Sequence, residues 1–191
     1  MMNIIMKILP KKFYERDSEI VAKNLIGKAL VRKIGLKNLI GKIVETEAYY
    51  AENDPAFRKD FLPKILNYKP GTAFIYMVHG NWLLNIIAYK EIFGGVLIRA
   101  IEPIEGIKEM KKFRGTNDIF NLTNGPGKLT KALKINKELN GINVSKRESE
   151  IIICSLKNEK IEIESSYRIG VKKDLEKKLR FFIKGNKFVS S

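Results

Sequence analysis

Apolar residues fall along this chain in short runs, each long enough for one strand or one modest helix. Asp17-Ser18 precede Ile20, Val21, Leu25 and Ile26, whose spacing places them on one helical face, so a capped helix is predicted there. Ala29–Ile34 and Leu39–Tyr50 are rich in β-branched residues and predict strands. A loop rich in Asn, Asp and Pro then runs to Pro70, and Gly71-Thr72 turns the chain into a strand over Ala73–Val78. Val96–Ile101 is a further strand candidate. Pro103 predicts a helix over Ile104–Phe113, because proline suits a first helical turn. Asn124-Gly125-Pro126-Gly127-Lys128 opens another helix that reaches Leu133, and β-like runs return at Glu150–Leu156, Ile161–Glu164 and Arg180–Ile183. Several strands without regular strand–helix alternation predict an α+β class: one domain over residues 1–191, with a curved, mostly antiparallel sheet flanked by helices.

Composition adds a partner to this picture. Lysine and arginine number 36 against 21 acidic residues, a formal net charge of +15. Such an excess predicts a polyanionic partner, nucleic acid or an anionic membrane surface, with a solubilising charge bias as the plainer alternative. The opening MMNIIMKIL is too short and too interrupted by Lys7 for a signal-peptide core, and no apolar run approaches the ~20 residues that span a bilayer. An intracellular, cytoplasmic protein is therefore expected. Cys154 and His79 are each the sole residue of their kind, which leaves no disulfide framework and no cysteine or histidine cluster for a metal. Cys154, in the run Ile151-Ile152-Ile153-Cys154, reads as a small buried apolar residue.

The stretch Val44-Glu45-Thr46-Glu47-Ala48-Tyr49-Tyr50 sets carboxylates beside rings in this basic chain. In a strand Glu45, Glu47 and Tyr49 would share a face, whereas a helix would separate the two glutamates by roughly 200°. Two carboxylates side by side in a cleft repel each other, which raises one pKa and suits acid–base work. Taken alone, the stretch reads more simply as an edge strand with its acids in water.

The order of several blocks changes that reading. LPKKFYERDSEIVAKNLIGKALVR, GKIVETEAYY, Asp54-Pro55-Ala56, KPGTAFIYMVHG, LLN, GGVLIRAIEPIEG, NGPGKLTKALKI and LRFFIKGNKFVS follow one another from about Leu9 to Ser190. This series resembles the 3-methyladenine (alkyladenine) DNA glycosylase family, the alkylpurine-excising type with a mixed α/β fold. The resemblance implies a monofunctional base-excision repair enzyme that acts on double-stranded DNA containing damaged bases. Such an enzyme flips a damaged purine out of the stack and hydrolyses its N-glycosidic bond with no metal or organic cofactor. It also implies a monomer, nucleoid-associated if the source is prokaryotic. The remaining alternatives are a binder of damaged DNA without catalysis, and a nucleoside or RNA N-glycosidase.

Residue by residue, the resemblance makes Glu47 the general base that activates water, and leaves Glu45 structural. Tyr49 falls at the family's stacking tyrosine and Tyr76 at a second aromatic wall; electron-rich faces bind cationic alkylpurines well. His79 stands where the family usually inserts a tyrosine into the gap left by the flipped base, and Trp82 lines the groove or packs in the core. Asn85 resembles the asparagine that discriminates against guanine, although the family commonly has one more residue between Gly80 and that position. Phe57-Arg58 replace the usual pocket histidine, so ring stacking by Phe57 or guanidinium stacking by Arg58 is expected in its place. Arg99 matches an arginine near the active-site glutamate and the target phosphate, with a buried ion pair as its structural alternative. Gly125, Gly127 and Lys128 offer backbone N–H groups and a cation for phosphate at a helix start, and Lys131 and Lys134 continue the row.

Overall fold

The computed structural model describes residues 7–156 and 160–190. Of the opening segment read against a signal peptide, residues 1–6 lie outside these. Among the described residues one sheet of nine strands organises the chain. In chain order the strands are β1 (Lys7–Ile8), β2 (Ala29–Ile34), β3 (Lys37–Tyr50), β4 (Ala73–Val78), β5 (Asn81–Ile87), β6 (Gly94–Glu105), β7 (Ile151–Ser155), β8 (Ile163–Ser166) and β9 (Arg180–Ile183). The path runs β1-β7-β2-β3-β6-β5-β4, and β9 pairs with β3 and with β8. Every pairing is antiparallel. The helices are α1 (Lys11–Tyr14), α2 (Ser18–Leu25), α3 (Leu62–Ile65), α4 (Ile107–Arg114) and α5 (Pro126–Ala132). The result is the expected α+β arrangement, and no described helix is long and apolar enough to cross a membrane.

The main core lies on one face of the sheet, where α2, α4 and α5 pack, and a smaller cluster of Ala29, Val31, Ile40, Ile152 and Cys154 covers the other face at β2 and β7. Asp17 caps α2 by accepting a hydrogen bond from the Glu19 N–H at 2.8 Å. Ser18, Val21, Ala22 and Leu25 form its buried stripe at i, i+3, i+4 and i+7. Ile20 does not join them: it lies off that stripe and is 47% exposed. Cys154 is buried, as expected for a small apolar residue.

Pro103 does not open a helix. Strand β6 continues through it to Glu105, and Pro103 faces Gly41 beside a break in register, where a missing N–H is tolerated. Gly106, at φ 76°, makes the turn into α4 three residues later than expected. Strand β8 also starts later than the predicted Ile161, which packs on the core instead. The loop before Pro70 contains a 3-10 turn at Lys59–Phe61 and the short α3.

Candidate active site

Opposite the core, the same sheet carries a cleft of about 720 Å³. The alternation of β4 and β5 builds its floor. Cross-strand pairs Phe74–Asn85, Tyr76–Leu83 and Val78–Asn81 face the cleft, while Ala73–Ile86 and Ile75–Leu84 face the core. Trp82 takes the core alternative and packs against the buried cluster.

Beside this floor, β3 and β6 depart from regular pairing. Ile43 faces Ile101, Glu45 faces Ala100 and Thr46 faces Ile98, which leaves Val44 extra on one strand and Arg99 extra on the other. Ile43 and Ile101 belong to the main core, as do Ala48 and Ile98, so side-chain phase changes across the irregularity. Val44 and Ala100 join a separate small cluster with Phe188. Paired bulges thus free Glu45 and Arg99 from the core face and turn them toward the cleft side, a common use of bulges beside functional sites.

Both glutamates are fully buried. Glu45 Oε1 accepts from Arg99 Nε at 3.1 Å, Arg180 Nε at 2.6 Å and the Ser190 hydroxyl at 2.8 Å. Its Oε2 accepts from the Ser190 backbone N–H at 2.7 Å. That saturation supports a structural role for Glu45. Glu47 is bonded more lightly: Oε2 accepts from the Tyr49 hydroxyl at 2.8 Å and Arg99 at 3.3 Å, and Oε1 from the Ile169 N–H at 2.8 Å. Oε1 therefore keeps acceptor capacity for a further donor. Burial pushes the Glu47 pKa up, against the pull of Arg99, the Ile169 N–H and the Tyr49 hydroxyl. Burial, then the neighbouring Glu47 charge, hold Tyr49 well above its ordinary value, so its phenol remains a donor. Arg99 satisfies the ion-pair alternative raised for it and also lines the cleft.

Tyr49 and Tyr76 both line the cleft. Tyr76 packs on Phe74, with ring centroids 4.9 Å apart, and on Phe61 at 4.5 Å. Asn85 reaches the same space and is buried, its Nδ2 donating to the Phe74 carbonyl at 3.5 Å. The antiparallel register, not the count of residues after Gly80, puts it there. Phe57 and Arg58 also line the cleft, but Arg58 lies 4.3 Å over the Phe61 ring and binds Asp60 with its planar fork. Phe61 is thus an aromatic wall that sequence reasoning overlooked.

His79 and Gly80 form the two-residue tip between β4 and β5, with φ 47° and 76°. Two left-handed residues match a type I′ hairpin, and histidine tolerates that region better than bulkier residues. The imidazole is thereby exposed at the rim of the cleft. The start of α5 packs against this tip so closely that a Cβ on Gly127 would lie 2.7 Å from Asn81. Gly125, Gly127 and Lys128 line the cleft's far edge, where Lys128 Nζ donates to Asn121 at 2.6 Å and Asn124 at 3.0 Å. The expected lysine row continues only to Lys131: α5 ends at Ala132, and Lys134 lies beyond it over the Phe113 ring.

Sequence reasoning also left out Arg168, Ile169, Arg180 and Ser190. Arg168 and Arg180 are arginines in a stretch otherwise served by lysine. That choice was the available signal, because a planar fork serves buried carboxylates where an ammonium does not. No group of three or more acidic, histidine or cysteine side chains among the described residues could hold a metal ion.

The sequence matches the methylpurine-DNA glycosylase family over residues 12–187. It is 42% identical to a Clostridium perfringens protein named "Putative 3-methyladenine DNA glycosylase", across 95% of this chain and 98% of that one. Proteins given the same name from Salinibacter ruber and Francisella tularensis are 36% and 41% identical, over 97% and 88% of this chain and 97% and 91% of their own lengths.

Proposed function

Because the chain belongs to the methylpurine-DNA glycosylase family, we propose that it is a monofunctional 3-methyladenine-type DNA glycosylase in which Glu47 activates the attacking water. The observation that carries this reading is a buried carboxylate with an acceptor position left, held beside a cleft walled by Tyr49 and Tyr76. The cleft takes the extruded purine between those rings. Glu47 removes a proton from water as the water oxygen bonds to the sugar C1′. The C1′–N bond breaks with its electrons leaving on the purine, and the nearby carboxylate stabilises the positive charge that develops on the sugar. A purine already alkylated and cationic leaves most readily.

Lys128 is the lysine lining the cleft, and it is tied to two asparagines rather than to Glu47. Among the described residues no amine is thus placed to form a Schiff base, which supports hydrolysis without strand scission. Arg99 holds Glu47 on one side and opens to the cleft on the other, where a phosphate would meet it. His79, at the hairpin tip, fills the vacated stack, while Gly125, Gly127 and Lys128 border the phosphate path. Asn85 reads the purine edge. The protein works on duplex DNA as a single-domain monomer in the cytoplasm or nucleoid.

Single-turnover release of free base from a duplex carrying one alkylated purine tests the assignment. Glu47→Gln should lower the rate by at least about 10²-fold, the scale of a lost general base, with duplex binding retained. Unchanged release would remove Glu47 from the chemistry and favour a different hydrolase mechanism. Equal rates on free nucleosides and duplex would favour a nucleoside hydrolase.

A further inference from the structure

We infer that Arg168 is a positioning residue for the reaction: it couples the stacking wall of the cleft to the backbone that holds the general base. The inference rests on the roles of Glu47 and Tyr49 proposed above.

The Arg168 side chain is fully buried, yet it is not among the groups that line the cleft. Its fork donates to both oxygens of Asp54 at 2.7 Å, to the Ala48 carbonyl at 3.0 Å and to Asp174 Oδ1 from Nε at 2.9 Å. Its backbone N–H donates to the other Asp174 oxygen at 3.0 Å. The guanidinium carbon lies 4.4 Å from the centroid of the Tyr49 ring. Since Tyr49 opens to the cleft and Arg168 does not, the cation backs the ring from the side away from a bound base. Burial pulls the Arg168 pKa down, but Asp54 and Asp174 outweigh it and keep the group cationic.

Each partner leads to the site. Asp54 also accepts from the Tyr50 and Ala56 N–H groups at 3.1 and 3.0 Å, so it turns the chain from the end of β3 into the segment carrying Phe57 and Arg58. Tyr49 donates to Glu47 at 2.8 Å. Ile169, the next residue after Arg168, gives the backbone N–H that Glu47 Oε1 accepts at 2.8 Å. One guanidinium therefore sets the ring, the turn beside it and a donor to the base. Lysine could keep the charge, but it could not bind two carboxylates in plane while lying flat on a ring.

Arg168→Lys and Asp174→Asn in the full chain separate positioning from plain stability. Single-turnover release from an alkylated duplex is measured across pH, with duplex affinity and thermal unfolding alongside. Arg168→Lys should lower the rate of the folded enzyme roughly tenfold to a hundredfold, as misplacement of a catalytic group does, while duplex affinity changes less. The acidic limb of its pH profile should move upward, because a loosened Ile169 N–H no longer helps to keep Glu47 ionised. Asp174→Asn should move both in the same direction by less, and it decides the matter alone should Arg168→Lys not fold. A lower melting temperature with rate per folded molecule and acidic limb unchanged would overturn the inference. Should Glu47→Gln release base at the wild-type rate, the proposed function fails instead; an inactive Glu47→Gln beside an unmoved limb overturns the role of Arg168 alone.

Discussion

Under the proposed mechanism Glu47 meets two opposed demands, since a general base must be ionised and burial resists ionisation. Its pKa is raised above the ordinary 4.5, so the acidic limb of the pH–rate profile should lie above that pH, with activity falling as pH drops through it. A limb at or below 4.5 would count against Glu47 as the titrating group. The effect on stability has the opposite sense. The folded state holds this proton more firmly than the unfolded chain, so Glu47 contributes most to stability at low pH and loses that contribution as pH rises through the folded pKa. Glu47→Gln should accordingly melt at the same temperature as the wild type or higher at neutral pH; a drop of several degrees would mean that the carboxylate charge holds the Arg99 network together. Tyr49→Phe keeps the ring and deletes the donor to Glu47. A hydrogen bond to a charged group contributes about 1.5–3 kcal/mol, so the rate should fall about tenfold or more with the acidic limb displaced upward. Tyr49→Ala should further weaken binding of a flipped base by about 1–3 kcal/mol, read from affinity for a lesion duplex against an undamaged one.

The hairpin of β4 and β5 is the element on which the cleft floor depends, and α5 braces its tip. A methyl group at Gly127 would meet the Asn81 side chain at 2.7–2.8 Å. Gly127→Ala should therefore destabilise the fold by about 1–3 kcal/mol, as overpacking does, in urea unfolding. It should also displace His79 enough to weaken binding to a lesion duplex. Wild-type stability and affinity would show that tip and helix yield without loss. Helix α2 was legible from its cap and the spacing of Val21 and Leu25, and β2 and β3, buried on both faces, were legible from their β-branched content. Strand β5 was not, because Trp82, Leu84 and Ile86 meet the core while Leu83 and Ile87 line the cleft, so no polar alternation marks it. Pro103 misled because its helix-opening preference is local, whereas its place was decided by pairing with β3. The carboxylate–tyrosine stretch of β3 was legible as a strand, but taken alone it read as an edge strand with its acids in water, whereas β3 is paired on both sides and Glu45 and Glu47 are fully buried. Its partners Arg168, Ile169, Arg180 and Ser190 were not, since contacts across so much sequence leave no periodic trace.

At the scale of the molecule, one sheet separates two tasks, with the main core on one face and the cleft on the other. The net charge of +15 suits a polyanionic partner such as DNA. A protein neutralising six to ten phosphates loses about 10³–10⁵ in affinity between 50 and 200 mM salt. Duplex affinity should fall on that scale here, while the single-turnover rate at saturating enzyme stays nearly constant. Affinity that ignores salt would remove the basic surface from DNA binding. The buried carboxylates also impose an order of events. Glu47 takes its backbone donor from 122 residues further on, and Glu45 takes Arg180 and Ser190 from 135 and 145 residues further on. Translation delivers the acids of β3 well before those partners. A nascent chain therefore carries both carboxylates and Arg99 before Ile169, Arg180 and Ser190 can join them, and the full set of bonds around the two acids forms only once that later stretch has left the ribosome.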